Sequence, residues 1–143
     1  MPDLALPRPD LRAFQLRLTV QTAELDELGH VNNVVYLRWI EDVARAHAEA
    51  VGAGFAALAE LGVVPVVRKH AIHYHRPAML GDEVEIGTVI SGAQGLRALR
   101  HNRIVRRQDG ALLVDGDTEW VWVDPDSGRP RRPPAELLSR FGF

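Results

Sequence analysis

Residues 33–51 restrict what this chain can fold into more than any other stretch. They read Asn-Val-Val-Tyr-Leu-Arg-Trp-Ile-Glu-Asp-Val-Ala-Arg-Ala-His-Ala-Glu-Ala-Val. At helical spacing the charged residues Arg38, Glu41, Asp42, Arg45 and Glu49 fall on a narrow stripe. Val34, Val35, Tyr36, Leu37, Trp39, Ile40, Val43, Ala44, Ala46 and Ala48 occupy most of the remaining circumference. A helix that apolar must be largely buried, so another part of the chain has to wrap it. Asn32 or Asn33 is the expected N-cap, and Gly52 and Gly54 end the helix. Glu41 and Arg45 are placed for an i,i+4 ion pair.

The wrapping material is β. Phe14, Leu16, Leu18 and Val20 alternate with polar residues, the period of a half-buried strand. A polar loop, 23–32, follows and feeds the helix. After a helical turn over 55–62, strands are predicted over 63–76, from 84 to 90, over 96–107 and over 111–123. Turn residues separate them, including Gln108-Asp109-Gly110 as a hairpin. Gly116 marks an expected bulge in the last strand, and Pro133-Pro134 leads into a short helix over 135–141. The last four strands are expected to form an antiparallel meander. Trp39, Trp120 and Trp122 supply bulk for the core under the helix. A sheet of about five strands curling round one helix is the economical α+β solution.

At 143 residues the chain is the size of one domain. Residues 1–10, with Pro2, Pro7 and Pro9, read as an extended arm, and 11–143 as a single domain. A net charge of −2 does not suggest nucleic-acid binding through a strongly basic surface. No apolar run approaches a membrane helix and no signal-peptide core is present. The absence of cysteine removes thiolate chemistry and fits a cytoplasmic setting. Ser91, Ser127 and Ser139 lack a nucleophile-elbow context, and there is no phosphate-binding loop.

The loop and the helix start are where chemistry is expected. A helix N-terminus carries unpaired N–H groups and partial positive charge. Asp26 and His30 lie just before it. The N–H groups of Asn32, Asn33 and Val34 are candidate donors to an oxyanion, one well-placed donor being worth roughly 3–4 kcal/mol of barrier. Asp26 is then a candidate nucleophile or general base, and an ordinary loop Asx-turn is its structural alternative. His30 orients Asp26, contacts substrate or braces the loop; the sequence leaves all three open. His73 and His75 share a strand face that His70 does not, too few for a metal site, so no metal is expected. The arginines at 97, 100, 103, 106 and 107, like Lys69, fit either phosphate contacts or a solvated strand.

Residues 25–37, Leu-Asp-Glu-Leu-Gly-His-Val-Asn-Asn-Val-Val-Tyr-Leu, resemble the hotdog-fold acyl-CoA thioesterases of the 4-hydroxybenzoyl-CoA thioesterase-like family. Within it they are most similar to the long-chain acyl-CoA and plant acyl-carrier-protein branch. Ile72-His73-Tyr74-His75-Arg76-Pro77 and Gly81-Asp82 look like the family's second-strand segment. The resemblance covers about 11–140. It implies a hotdog fold and hydrolysis of acyl-CoA or acyl-carrier-protein thioesters. It implies no separate cofactor, since coenzyme A arrives with the substrate. It also implies a homodimer or a tetramer of two dimers. By the same resemblance Asp26 matches the catalytic carboxylate, His30 the motif histidine, and Asn33 the residue whose N–H holds the thioester carbonyl. The plant enzymes carry Asn where this chain has Leu28, which favours the simpler arrangement of one Asp plus the helix N-terminus. A non-catalytic acyl-CoA binder and a hotdog hydratase or dehydratase are the alternatives.

Overall fold

The computed structural model describes residues 10–143. The strands are β1 (Ala13–Thr19), β2 (Val64–Tyr74), β3 (Glu83–Gln94), β4 (Arg97–Arg106) and β5 (Leu112–Val123). The helices are α1 (Asn33–Ala50), α2 (Phe55–Leu61) and α3 (Ala135–Arg140). The five strands form one antiparallel sheet in the order β1-β3-β4-β5-β2. This is the expected α+β arrangement of a five-stranded sheet with a long helix packed on one face.

The expected meander of the last four strands is corrected. Only β3, β4 and β5 are consecutive neighbours, and β2 lies beyond β5 at the sheet edge. Residues 75–82 therefore cross the end of the sheet from β2 to β3. Eight residues can span up to about 26 Å, enough to pass over two intervening strands ~4.8 Å apart. The crossing is pinned at both ends: His75 N–H donates to Leu113 O at 2.8 Å, and Asp82 Oδ2 accepts from Met79 N at 2.9 Å. A β2 that left by a tight turn would pair with β3; this strap instead carries the chain under the start of α1.

The bulge expected at Gly116 is also corrected. Gly116 keeps its register opposite Asn102 and Ile72, and the register shifts fall at Arg68, Ser91 and Leu113. Gly116 is needed for another reason: a Cβ there would sit 2.3 Å from Ala71 O. The Glu41–Arg45 pair does not form. Arg45 turns to Asp42 at 3.9 Å, and Glu41 lies 3.9 Å from His70 Nε2. The hairpin at 108–110 is as expected, with Gly110 N–H on Arg106 O and Arg106 N–H on Ala111 O.

The interior has two apolar clusters. The first joins Val35, Tyr36, Trp39, Ile40 and Val43 of α1 to Ile86, Ile104 and Val114 of the sheet. The second joins Leu58, Val63, Ile90, Trp122, Leu137 and Phe141. Trp39 thus packs where expected, whereas Trp122 belongs to the second cluster and Trp120 is half-buried. Between the clusters runs a polar row. Thr88 donates to Asn102 Oδ1 (2.9 Å), and Asn102 Nδ2 donates to Thr118 Oγ1 (3.1 Å), which also contacts His70 Nδ1 (2.9 Å). At most 4% of Thr88, Asn102 or Thr118 is exposed, so these bonds replace those that water would make.

Candidate active site

The loop before α1 is a small hairpin tied to the helix and to the strap. Leu25 and Val31 form an isolated bridge, and Asp26 N–H donates to His30 O at 2.7 Å. Gly29 closes the turn at φ 79°, a left-handed conformation that suits glycine. Glu24 fastens this hairpin to α1. Its carbonyl accepts from Asn32 N–H (2.9 Å), Oε1 from Gln21 N–H (2.8 Å), and Oε2 from Arg38 Nη2 (3.1 Å) and Trp39 Nε1 (3.3 Å). The strap supplies the other side. Val31 N–H donates to Ala78 O (3.0 Å), and His30 bridges to Met79. Ala78 N–H donates to the buried Tyr36 hydroxyl at 2.8 Å, and burial is the main reason this phenol is pushed above its ordinary range.

Asp26 and His30 are brought together through the backbone. Asp26 Oδ1 accepts from Leu28 N–H (2.9 Å) and His30 N–H (3.2 Å), an Asx-turn that fixes the carboxylate. Among the described residues Oδ2 has no partner and the His30 ring makes no hydrogen bond. Asp26 is half-buried, as is His30.

The N-cap is Asn32, whose side chain accepts from Val34 N–H at 3.1 Å. Of the three candidate oxyanion donors, Asn32 N–H is therefore already given to Glu24 and Val34 N–H to the cap. Asn33 N–H alone has no acceptor among the described residues. The first turn of the helix thus presents one open donor, at Asn33, next to the hairpin that holds Asp26.

The remaining sequence candidates lie elsewhere. His73 and His75 face Asp115 on the far side of the sheet, at 3.7 and 3.0 Å. The His75 hydrogen bond is the first cause holding the Asp115 carboxyl below its usual range. No group of three metal-ligating side chains occurs among the described residues. In the arginine run, Arg97 lies near Glu119, Arg106 pairs with Asp109 and Arg107 with Glu83. Arg100 is different, being only 7% exposed and turned towards α1. That was readable in the strand: Ile104 faces the core, so Asn102, Arg100 and Ala98 share its phase. Glu24 gave no such signal, because its role depends on how the loop doubles back.

This fold, a five-stranded antiparallel sheet with a long central helix on one face, is that of the hotdog thioesterases. Residues 20–141 match the Thioesterase-like superfamily, and the chain belongs to it. It is 32% identical over 119 residues to a candidate esterase of Synechocystis, covering 83% of this chain and 72% of that protein. It is 36% identical over 76 residues to the acyl-CoA thioester hydrolase YbgC of Escherichia coli, a match spanning 53% of this chain and 56% of YbgC. Its fold resembles the 1,4-dihydroxy-2-naphthoyl-CoA thioesterase of Synechocystis, with a TM-score of 0.82 and 17% identity over 90% of this chain and 95% of that one. Among the described residues no helix is long and apolar enough to cross a membrane.

Proposed function

We propose that this chain hydrolyses acyl thioesters, with acyl-CoA as substrate, at the junction of the 20–32 loop and α1. The observation that carries this reading is the one candidate donor left unengaged among the described residues, Asn33 N–H, in the turn that follows a loop already fixing the Asp26 carboxylate. The thioester carbonyl oxygen binds Asn33 N–H, where the partial positive charge of α1 stabilises the developing oxyanion. Asp26, through Oδ2, attacks the carbonyl carbon, expelling the thiolate and leaving a mixed anhydride that water then opens, or takes a proton from a water that attacks directly; both routes end in free acid and thiol. The similarity to YbgC supports coenzyme A as the thiol carrier, and acyl carrier protein is the alternative carrier. No further cofactor enters this chemistry.

The reading includes a homodimer formed across β2. Among the described residues this eleven-residue strand pairs with β5 on one side only, and an open edge that long favours pairing with a second copy. Tyr74 at its end reaches Asn33 O at 3.3 Å, so a partner at this edge would lie next to the site. A non-catalytic binder is the second reading, favoured by the use of Asp26 Oδ1 as an ordinary turn acceptor. The test is thiol release from a panel of acyl-CoAs and acyl carrier proteins by wild type and Asp26→Asn. Hydrolysis is expected in wild type and a loss of ~10²–10⁴-fold in the variant. Binding of acyl-CoA without release from any substrate would establish the binder instead.

A further inference from the structure

A cavity of about 710 Å³ lies behind the distal half of α1. That is within the ~300–1,000 Å³ of small-molecule sites. Its walls include Ala44 and Ala48 of α1, Leu58 of α2, Ile90 of β3, Trp120 of β5 and Phe141. Neither Asp26, His30 nor Asn33 lines it. It belongs to the second apolar cluster, on the far side of the polar row from the proposed thioester site.

One charged side chain in this wall is buried. Arg100 lines the cavity and is 7% exposed. Both its hydrogen bonds leave from Nη1, to His47 Nδ1 (2.9 Å) and Thr88 Oγ1 (3.2 Å). His47 Nε2 donates to Leu11 O at 2.7 Å, so its Nδ1 is the acceptor for Arg100 and the imidazole is neutral. Arg100 Nε and Nη2 have no acceptor among the described residues. Glu41, Glu49 and Asp124 also line the cavity, but none pairs with Arg100; Asp124 is taken by Arg131 at 3.4 Å. Burial lowers the guanidinium to about 10, which leaves it charged at neutral pH. A buried cation with no counter-charge among the described residues is costly, and an incoming anion relieves that cost.

We infer that this cavity binds a carboxylate-headed apolar molecule, with the carboxylate on the open Nε–Nη2 edge of Arg100 and the chain along the alanine and aromatic walls. The planar guanidinium fork matches a carboxylate in bidentate geometry. The other arginine in the lining, Arg45, is exposed and lies 3.9 Å from Asp42, and three acidic residues share the wall, which disfavours a phosphate dianion. Two sources share this chemistry: a free fatty acid, and the far-end carboxylate of a dicarboxylic acyl thioester. Carboxylate binding does not depend on the proposed hydrolysis, because it is measured without turnover; the assignment to a thioester source rests on that reading.

The test is calorimetric titration of the full chain with decanoate and with 1-decanol. Decanoate is expected to bind at least ~10-fold more tightly, the worth of a charge-assisted hydrogen bond. Arg100→Met should abolish the difference. The wild-type comparison stands even if that variant fails to fold. Equal affinity of the two probes, or binding of neither, overturns the inference. Thiol release from the mono-CoA thioester of decanedioic acid, against decanoyl-CoA, separates the sources. A preference for the diacid thioester that Arg100→Met removes assigns the thioester source; no preference, with decanoate still bound, assigns the free acid.

Discussion

The first half of α1 and its second half lie over different surroundings. From Asn33 to Val43 the inward positions are Tyr36, Trp39, Ile40 and Val43, each 2% exposed or less, packed on β1 and β3 and braced by Glu24 and the 75–82 strap. From Ala44 onwards the inward positions are Ala44, His47 and Ala48, and two of these border open space. Large side chains fix a helix end, and alanines leave room beside it. A donor that must meet an oxyanion within a fraction of an ångström needs the first kind of surroundings. A site for an apolar ligand needs the second. The polar row of Thr88, Asn102 and Thr118, with Arg100 and His47, stands where one gives way to the other.

The largest expected contrast sets Trp39→Ala against Ala44→Leu. Removing Trp39 should cost about 3–5 kcal/mol in chemical denaturation. Ala44→Leu grows into the cavity and should be neutral or stabilise by up to about 2 kcal/mol. Comparable destabilisation by both would mean the second half is as tightly packed as the first. Tyr36→Phe comes next. It leaves the buried Ala78 N–H without its acceptor, at a cost of about 1–3 kcal/mol. Hydrogen exchange should quicken along 75–82 and leave α2 unchanged, and uniform protection would contradict the strap's role.

Asn32→Ala removes the N-cap and should cost about 1 kcal/mol. It also frees Val34 N–H beside Asn33, so kcat should fall by less than stability alone suggests; a change in KM only would speak against a donor role for this turn.

The smallest effect is one of pH. Burial holds His47 below its ordinary 6.5. The unfolded chain therefore takes up a proton before the folded one does. Stability from this group is complete above about pH 6.5 and is lost as pH falls towards the lowered folded value. His47→Gln should flatten the melting temperature between pH 7.5 and 5.5 relative to wild type. An unchanged slope would place the dependence elsewhere.

Much of this was readable before the coordinates. The apolar circumference of α1 required a wrapping sheet, and the Asp26–Asn33 block resembled a known family. Strand order was not readable, because a Pro-Ala-Met-Leu-Gly-Asp segment serves equally as a tight turn or as a strap, and only long-range partners such as Tyr36 decide between them. Gly116 signalled something unusual, but glycine for a bulge and glycine for a close carbonyl look alike in sequence. Which N–H of the first turn stays open depended on Glu24 folding back onto Asn32, a contact that no periodicity encodes. Arg100 was legible from strand phase, yet it lay within a run of mostly exposed arginines.

The most direct measurement is steady-state thiol release from decanoyl-CoA by Asp26→Asn, with decanoate titrated into the same protein. Turnover should fall by at least ~10²-fold while decanoate affinity and melting temperature stay at wild-type values. A variant that turns over at the wild-type rate would contradict the placement of the chemistry at the start of α1.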